Sequence, residues 1–226
     1  MLKFYYAPAP NPVKVALFLE ESGMPYTLVP VDLRKGEQHR PEFLAINPNA
    51  KAPVIDDDGV IVFDSNAILV YLAEKSRQFL PDSSPQSRAA TLSWLMFVAS
   101  GIGPYSGQAV HFKYYAPPFD YAVTRYLFEA KRHYAIVDAH LAKHPYMVGE
   151  AYSFVDMAVW GWARAVPFIL GDEGFPTMPH LKRWFDLINA RPAAGRAEAL
   201  KDRHTFKTEM DEEARGHMFP GTAKAG

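Results

Sequence analysis

"NPNAKAPVIDDDGVIVFDSNAILVYLAEK", residues 47–75, decides the fold. Two apolar runs flank Asp57-Asp58-Gly59, and Asp-Gly supplies the positive φ that tight hairpin turns require. After Phe63 the pattern changes from strand to helix. Asp64 or Ser65 caps the helix, and SNAILVYLAEK then carries apolar residues at helical spacing. Ala52-Pro53 precedes the first run, where a cis-proline turn is available because cis bonds occur essentially before proline.

Towards the N-terminus, residues 2–6 (LKFYY) read as a strand. Residues 12–22 read as a helix entered through Asn11-Pro12 and stopped by Gly23. Residues 26–32 (YTLVPVD) form a second strand, and Pro30 assigns it to a sheet edge because it offers no N–H to a neighbour. GEQHRPEFLAINPN is a loop with a short helix. The order is β-α-β-α-β-β-α, an α/β unit with a mixed sheet.

Towards the C-terminus, LPDSSPQS (80–87) is polar and proline-bearing, which puts a linker at 81–87. Strand patterns then vanish. Helices are expected at 88–101, 118–143, 154–168, 178–190 and 192–203. YSFVDM opens one of them: Ser153 and Asp156 have capping-box spacing, with Tyr152 placed to staple against Met157. Two domains follow, an α/β unit at 1–80 and an all-helical one at 88–205. Residues 206–226 read as a polar, loose tail.

Composition excludes several classes. The 226 residues are 49% hydrophobic and 14% aromatic, enough for a core, and the net charge of −1 recommends neither nucleic acid nor an anionic membrane. There is no membrane-length apolar run and no signal pattern, so a cytoplasmic protein is expected. With no cysteine, the chain has no disulfide and no thiol of its own, and any thiol chemistry arrives with a ligand. His140 and His144 have i, i+4 spacing but no acidic partner motif, so they read as helix surface, and no metal is expected.

Three places in the first unit share a logic. Asn11-Pro12 pairs a good N-cap residue with the residue favoured at the first helical position, and a helix N-terminus attracts anions. Ala-Pro before a strand leaves the Ala52 backbone to pair with a short extended peptide. Ser65 opens a second helix, with Asp64 beside it to accept from an ammonium. A small peptide with a thiolate, a backbone segment and a free α-amino acid end meets all three demands, and glutathione is such a peptide.

The motifs NPNAKAPVI, DSNAILVYLAEK, GEAYSFVDMAVW and PHLKRWFDLINARPA together make the chain resemble the cytosolic glutathione transferases over residues 1–205. APAPNPVK, KGEQHRPEF, GPYSGQAVHFKYYAP and RYLFEAKRHY are similar to the bacterial nu class, a branch related to the fungal nitrogen-regulator transferases. The resemblance implies a thioredoxin-like domain followed by an all-helical domain. It implies that Asn11 lies beside the glutathione sulfur, that Gln38 and Lys51 hold the glycine-end carboxylate, and that Ala52 pairs through its backbone beside a cis Pro53. Asp64 and Ser65 hold the γ-glutamyl end, and Arg132 approaches from the partner subunit of a homodimer. The implied activity is reduction of small disulfides or peroxides, with conjugation of electrophiles, as in detoxification. Ala9 stands where relatives often carry a hydroxyl, Pro12 where they often carry Gly, and Ala52 where they often carry a β-branched residue.

Asn11 is the leading residue for stabilising the thiolate. Lowering a thiol pKa of about 8.5 by two units requires about 2.7 kcal/mol of preferential stabilisation. A helix N-terminus supplies about 0.3–1 kcal/mol and a charge-assisted hydrogen bond about 1.5–3. The Asn11 amide can donate that bond while its oxygen caps the helix. Tyr5 and Tyr6 are rivals, one of which faces inward by strand alternation. Tyr105, Gln108, His111, Tyr114 and Tyr115 are the candidate second-substrate wall, with aromatic core the competing reading. Trp94, Trp160, Trp162 and Trp184 read as core. Alternatives to the enzyme are a non-catalytic transferase-like binding module and a glutathione-dependent isomerase or dehalogenase.

Overall fold

The fold was determined as a computed structural model, which describes residues 1–221; residues 222–226 of the expected tail lie outside the described residues. Strand β1 (Leu2–Tyr6) buries Leu2, Phe4 and Tyr6 and exposes Lys3, the alternation of a half-buried strand. It pairs in parallel with β2 (Tyr26–Pro30) and antiparallel with β3 (Val54–Asp57), which pairs antiparallel with β4 (Val60–Phe63). The order β2-β1-β3-β4 is the expected mixed sheet, with the Pro30 strand at its edge. Asp58 and Gly59 turn the hairpin with φ of 50° and 96°, the two positive values of a type I′ turn.

Helix α1 (Pro10–Ser22) starts earlier than expected. Ala9 is the N-cap and Pro10 the first helical residue, so Asn11 lies inside the first turn and does not cap. Proline fits there because the first-turn N–H groups have no intrahelical acceptor to lose, and Pro12 is tolerated for the same reason. Two 3₁₀ turns (Leu33–Lys35 and Glu37–His39) and the short α2 (Pro41–Leu44) lead to the hairpin. Helix α3 (Ser65–Ser76) is capped by Asp64, whose carboxylate accepts from the Asn66 and Ala67 amides.

Helix α4 (Pro85–Phe97) is capped by Ser84 and takes Pro85, Gln86 and Ser87 into its first turn, so the linker is shorter than expected. A π turn (Val98–Ile102) joins it to α5 (Gly103–Tyr114). The sequence did not announce α5 as a helix, because its glycines and Pro104 break the pattern. Helices α6 (Asp120–Leu141), α7 (Phe154–Ala163), α8 (Val166–Leu170), α9 (Pro179–Asn189) and α10 (Pro192–Glu198) follow. The expected 154–168 helix divides at Arg164-Ala165, where Pro167 enters the first turn of α8. Ser153 and Asp156 form the expected capping box.

The two units meet where α7 crosses α1. A Cβ on Gly161 would stand 2.7 Å from the Pro10 carbonyl oxygen and 2.8 Å from Lys14 Cβ, so the glycine permits the approach. Ion pairs Arg196–Glu20 and Arg191–Glu21 pin α1 to the C-terminal helices. Residues after 203 return to the first unit and end in α11 (Glu212–Met218), which packs on the Leu33–Lys35 turn. The segment expected to be loose is anchored by Phe206, Met218 and Phe219, apolar residues scattered too sparsely to give a period.

Candidate active site

A cavity of about 580 Å³ opens between the start of α1, helix α5 and the returning C-terminal segment. That size lies in the range of about 300–1,000 Å³ usual for small-molecule sites. Ala9 and Pro10 form one wall, Val110 and His111 of α5 another, and Trp162 and Phe168 the floor. Trp162 is half-buried and belongs to the site, not only to the core as expected. Gly103 and Gly107, one turn apart on α5, leave room for its ring: a Cβ on Gly103 would lie 3.2 Å from the indole nitrogen.

Trp162 also orients Asn11. The indole Nε1–H donates to Asn11 Oδ1 at 3.0 Å. An indole nitrogen is a donor only, so the amide oxygen is held towards the tryptophan and Nδ2 faces elsewhere. Among the described residues Nδ2 has no hydrogen-bond partner. The expectation that the oxygen caps α1 is replaced by this arrangement, and the donor remains available.

Tyr6 faces inward, but into the core. It is fully buried, packs edge-on against Phe4 and Phe206, and its phenol is pushed up to about 12 by burial. Phe206 lines the cavity and Tyr6 does not. Tyr5 packs on Phe43 on the opposite face of the sheet.

Of the five expected second-substrate residues, His111 and Tyr115 line the cavity. Burial, then Arg215, lowers the His111 pKa, which favours the neutral imidazole. Tyr114 supports the wall from behind by stacking on Phe168 and donating to its carbonyl at 2.8 Å. Tyr105 and Gln108 fall outside the wall. Helical periodicity turns them to other faces of α5, where Tyr105 packs against Tyr126 and His133 and Gln108 is exposed.

The glutathione candidates lie outside this wall. The Ala52–Pro53 bond is cis. Ser65 is buried at the first position of α3 and Asp64 is exposed beside it. Lys51 is exposed, and its carbonyl accepts from Asn47 Nδ2 at 2.6 Å. Gln38 is buried, and its Nε2 donates to the Leu33 and His217 carbonyls. Both of its N–H groups are thus occupied, while its buried Oε1 has no partner. Arg132 sits on α6 and is held by Glu129 through two nitrogens.

Lys14 is a buried group that the sequence did not single out. Its ammonium donates to Asn66 Oδ1 at 2.8 Å beneath the α1 and α3 N-termini, and burial brings its pKa down to about 7. A lysine inside an apolar helical stretch gives no sequence signal beyond its break in the pattern.

Two family models match the chain: the glutathione S-transferase N-terminal domain over residues 1–74 and the C-terminal domain over residues 115–192. The chain belongs to the glutathione S-transferase family. This transferase is 44% identical over 205 residues to Disulfide-bond oxidoreductase YfcG of Escherichia coli, covering 87% of this chain and 94% of that one. Its fold matches a glutathione transferase family member from Pseudomonas fluorescens solved with two glutathione bound (TM-score 0.82, 38% identity, 87% and 92% of the two chains). It also matches a Pseudomonas putida glutathione transferase with one glutathione disulfide bound per subunit (TM-score 0.81, 36% identity, 87% and 90%). The likeness to bacterial oxidoreductases of this kind accords with the nu-class resemblance.

Proposed function

We propose that this transferase binds glutathione, stabilises its thiolate, and uses it to reduce small disulfides in preference to conjugating electrophiles. The observation that carries the reading is the Asn11 amide in the first turn of α1, next to the cavity-lining Ala9 and Pro10, with its oxygen held by Trp162 and its Nδ2 without a hydrogen-bond partner among the described residues. The 44% identical relative named as a disulfide-bond oxidoreductase supports the choice of disulfides.

The chain has no cysteine, so glutathione supplies every reacting sulfur of the enzyme's side. A glutathione thiolate attacks one sulfur of RS–SR, forming a mixed disulfide and releasing RS⁻. A second glutathione thiolate attacks the glutathione sulfur of that mixed disulfide, forming glutathione disulfide and releasing the second RS⁻. Two glutathiones are oxidised and one disulfide is reduced. With a peroxide ROOH the same thiolates yield ROH, water and glutathione disulfide. Asn11 donates to the thiolate and cannot act as a base. Lys51 holds the glycine-end carboxylate, Ala52 pairs with the cysteinyl backbone, and Asp64 and Ser65 hold the γ-glutamyl end. Gln38 joins them once its amide turns from the His217 carbonyl.

The protein works in the cytoplasm as a homodimer, with Arg132 of the second subunit reaching the same ligand. Leu92 and Met96, exposed one turn apart on α4, support such an apolar contact face. The test compares efficiencies with glutathione and either 2-hydroxyethyl disulfide or 1-chloro-2,4-dinitrobenzene. The disulfide is expected to be the better substrate, and a higher efficiency on the aromatic chloride overturns the order. Retention on immobilised glutathione, with release by free glutathione, separates either activity from a protein that binds no glutathione.

A further inference from the structure

The cavity is completed by the chain's own C-terminal segment. Phe206, Met210, Met218 and Phe219 all line it. Phe219 packs against His111 at 4.6 Å and Tyr115 at 5.3 Å, so an aromatic wall faces the mouth of α1. The segment is tied down by polar bonds. Asp32 accepts from the Lys207 amide, Gln38 donates to the His217 carbonyl, and Arg34 donates to the Lys207 and Thr208 carbonyls. A Cβ on Gly36 would stand 2.6 Å from the His217 ring, so the glycine lets the segment seat.

The charges on this wall are unequal. The Arg164 guanidinium is neutralised by Glu198, and the Lys207 ammonium by Asp211 and Glu213. His111 favours its neutral form. Asp32 uses one oxygen on the Arg34 amide and the other on the Lys207 amide, with the Lys35 ammonium 3.5 Å away. Among the described residues lining the cavity, Arg34 is the cation left without a carboxylate: its side chain donates only to two backbone carbonyls of the segment. Those carbonyls hold the guanidinium in place and leave its charge unmatched.

We infer that the C-terminal segment selects the second substrate: a disulfide with an aromatic body, seated against Phe219 and Met218, and a carboxylate paired with Arg34. The inference names the substrate class of the site proposed above and rests on that reading for turnover, though not for binding. A guanidinium–carboxylate bond discriminates against the uncharged isostere by roughly ten- to a hundredfold.

The experiment measures binding of 2,2′-dithiodibenzoate and of its dimethyl ester by calorimetry, without glutathione, to the full chain and its Arg34→Met and Phe219→Ala variants. Wild type should bind the diacid at least about tenfold more tightly than the ester. Arg34→Met should abolish that ratio, and Phe219→Ala should weaken both ligands severalfold while keeping it. Equal affinity of wild type for acid and ester, or a ratio that survives Arg34→Met, overturns the inference. Circular dichroism of each variant checks that a loss is not unfolding, and Arg34→Lys, which keeps the charge, should restore part of the ratio. Turnover of 2-hydroxyethyl disulfide with glutathione, measured separately on wild type, tests the catalytic reading, so failure of one is distinguishable from failure of the other. A rise in the glutathione KM with the neutral disulfide in Arg34→Met, with no change in the acid-to-ester ratio, would assign Arg34 to glutathione and also overturn the inference.

Discussion

The indole N–H of Trp162 donates to Asn11 Oδ1 across 3.0 Å, joining residues 151 positions apart. That bond turns an amide with two possible orientations into a donor of fixed direction. Replacing Asn11 by Ala should raise the pKa of enzyme-bound glutathione by about one to two units, the equivalent of a lost charge-assisted hydrogen bond of about 1.5–3 kcal/mol. Titration of thiolate ultraviolet absorbance measures it. Trp162→Phe should raise the same pKa by less, because the donor persists but its direction is no longer held. An unchanged pKa in Asn11→Ala, with a rise in Tyr6→Phe, would return the role to the tyrosine.

Much of the first unit was legible because its signals are local. Asp58-Gly59 sets the hairpin, Pro30 marks the edge strand, and Gly23 stops α1. Local chemistry misplaced the start of α1, where Asn11 is a good cap residue but Pro10 occupies the first helical position. The site was legible only in part. His111 and Tyr115, which line the cavity, and Asn11, in the α1 turn beside it, were legible as candidates from residue type and place. Trp162 and the wall from Phe206 to Phe219 were not, because they reach the cavity through contacts 100 or more residues apart. Tyr105 and Gln108 lie outside this cavity because they sit on other faces of α5, a helix whose glycines and Pro104 hide it from the sequence pattern.

Leu92 and Met96 test the second subunit. Both are exposed on α4, at 46% and 56%, and lie four residues apart on one helical face. A double Leu92→Glu, Met96→Glu variant places two charges in any apolar contact made there, so sedimentation should shift from dimer towards monomer while the helical signal is kept. A wild type that sediments as a monomer, or a variant that remains dimeric, removes this face from the assembly.

Asp156 holds the α7 entry together and titrates against stability. Its carboxylate accepts from the Met147 and Ser153 amides, the Ser153 hydroxyl and the Trp184 indole, and burial raises its pKa to about 6. Between about pH 4 and 6 the folded state therefore holds a proton that the unfolded chain, with the ordinary value of 3.8, has lost. The stabilisation is present below the unfolded pKa and lost as pH rises through the folded one. Asp156→Asn removes this titration and turns an N–H towards Ser153. Urea melts should show wild type losing about 2 kcal/mol relative to the variant between pH 4 and 7. The variant should be less stable overall at every pH.

Lys14 works in the opposite direction. Its folded pKa of about 7 lies below the ordinary 10.5, so the unfolded chain binds the extra proton between those values. Stability rises with pH across that window, because burying a neutral amine is easier than burying an ammonium. Lys14→Met keeps the length of the side chain, removes the titration and leaves Asn66 Oδ1 without its donor. Wild type should therefore gain about 2 kcal/mol relative to the variant between pH 7 and 9, read from parallel denaturant melts. Parallel stability curves would mean that Lys14 does not change its charge on folding. With both groups as described, wild-type stability falls as pH rises through the Asp156 titration at about 6 and rises again as pH passes the Lys14 titration at about 7. A variant carrying both Lys14→Met and Asp156→Asn should then lose the dip in stability that wild type shows between those values.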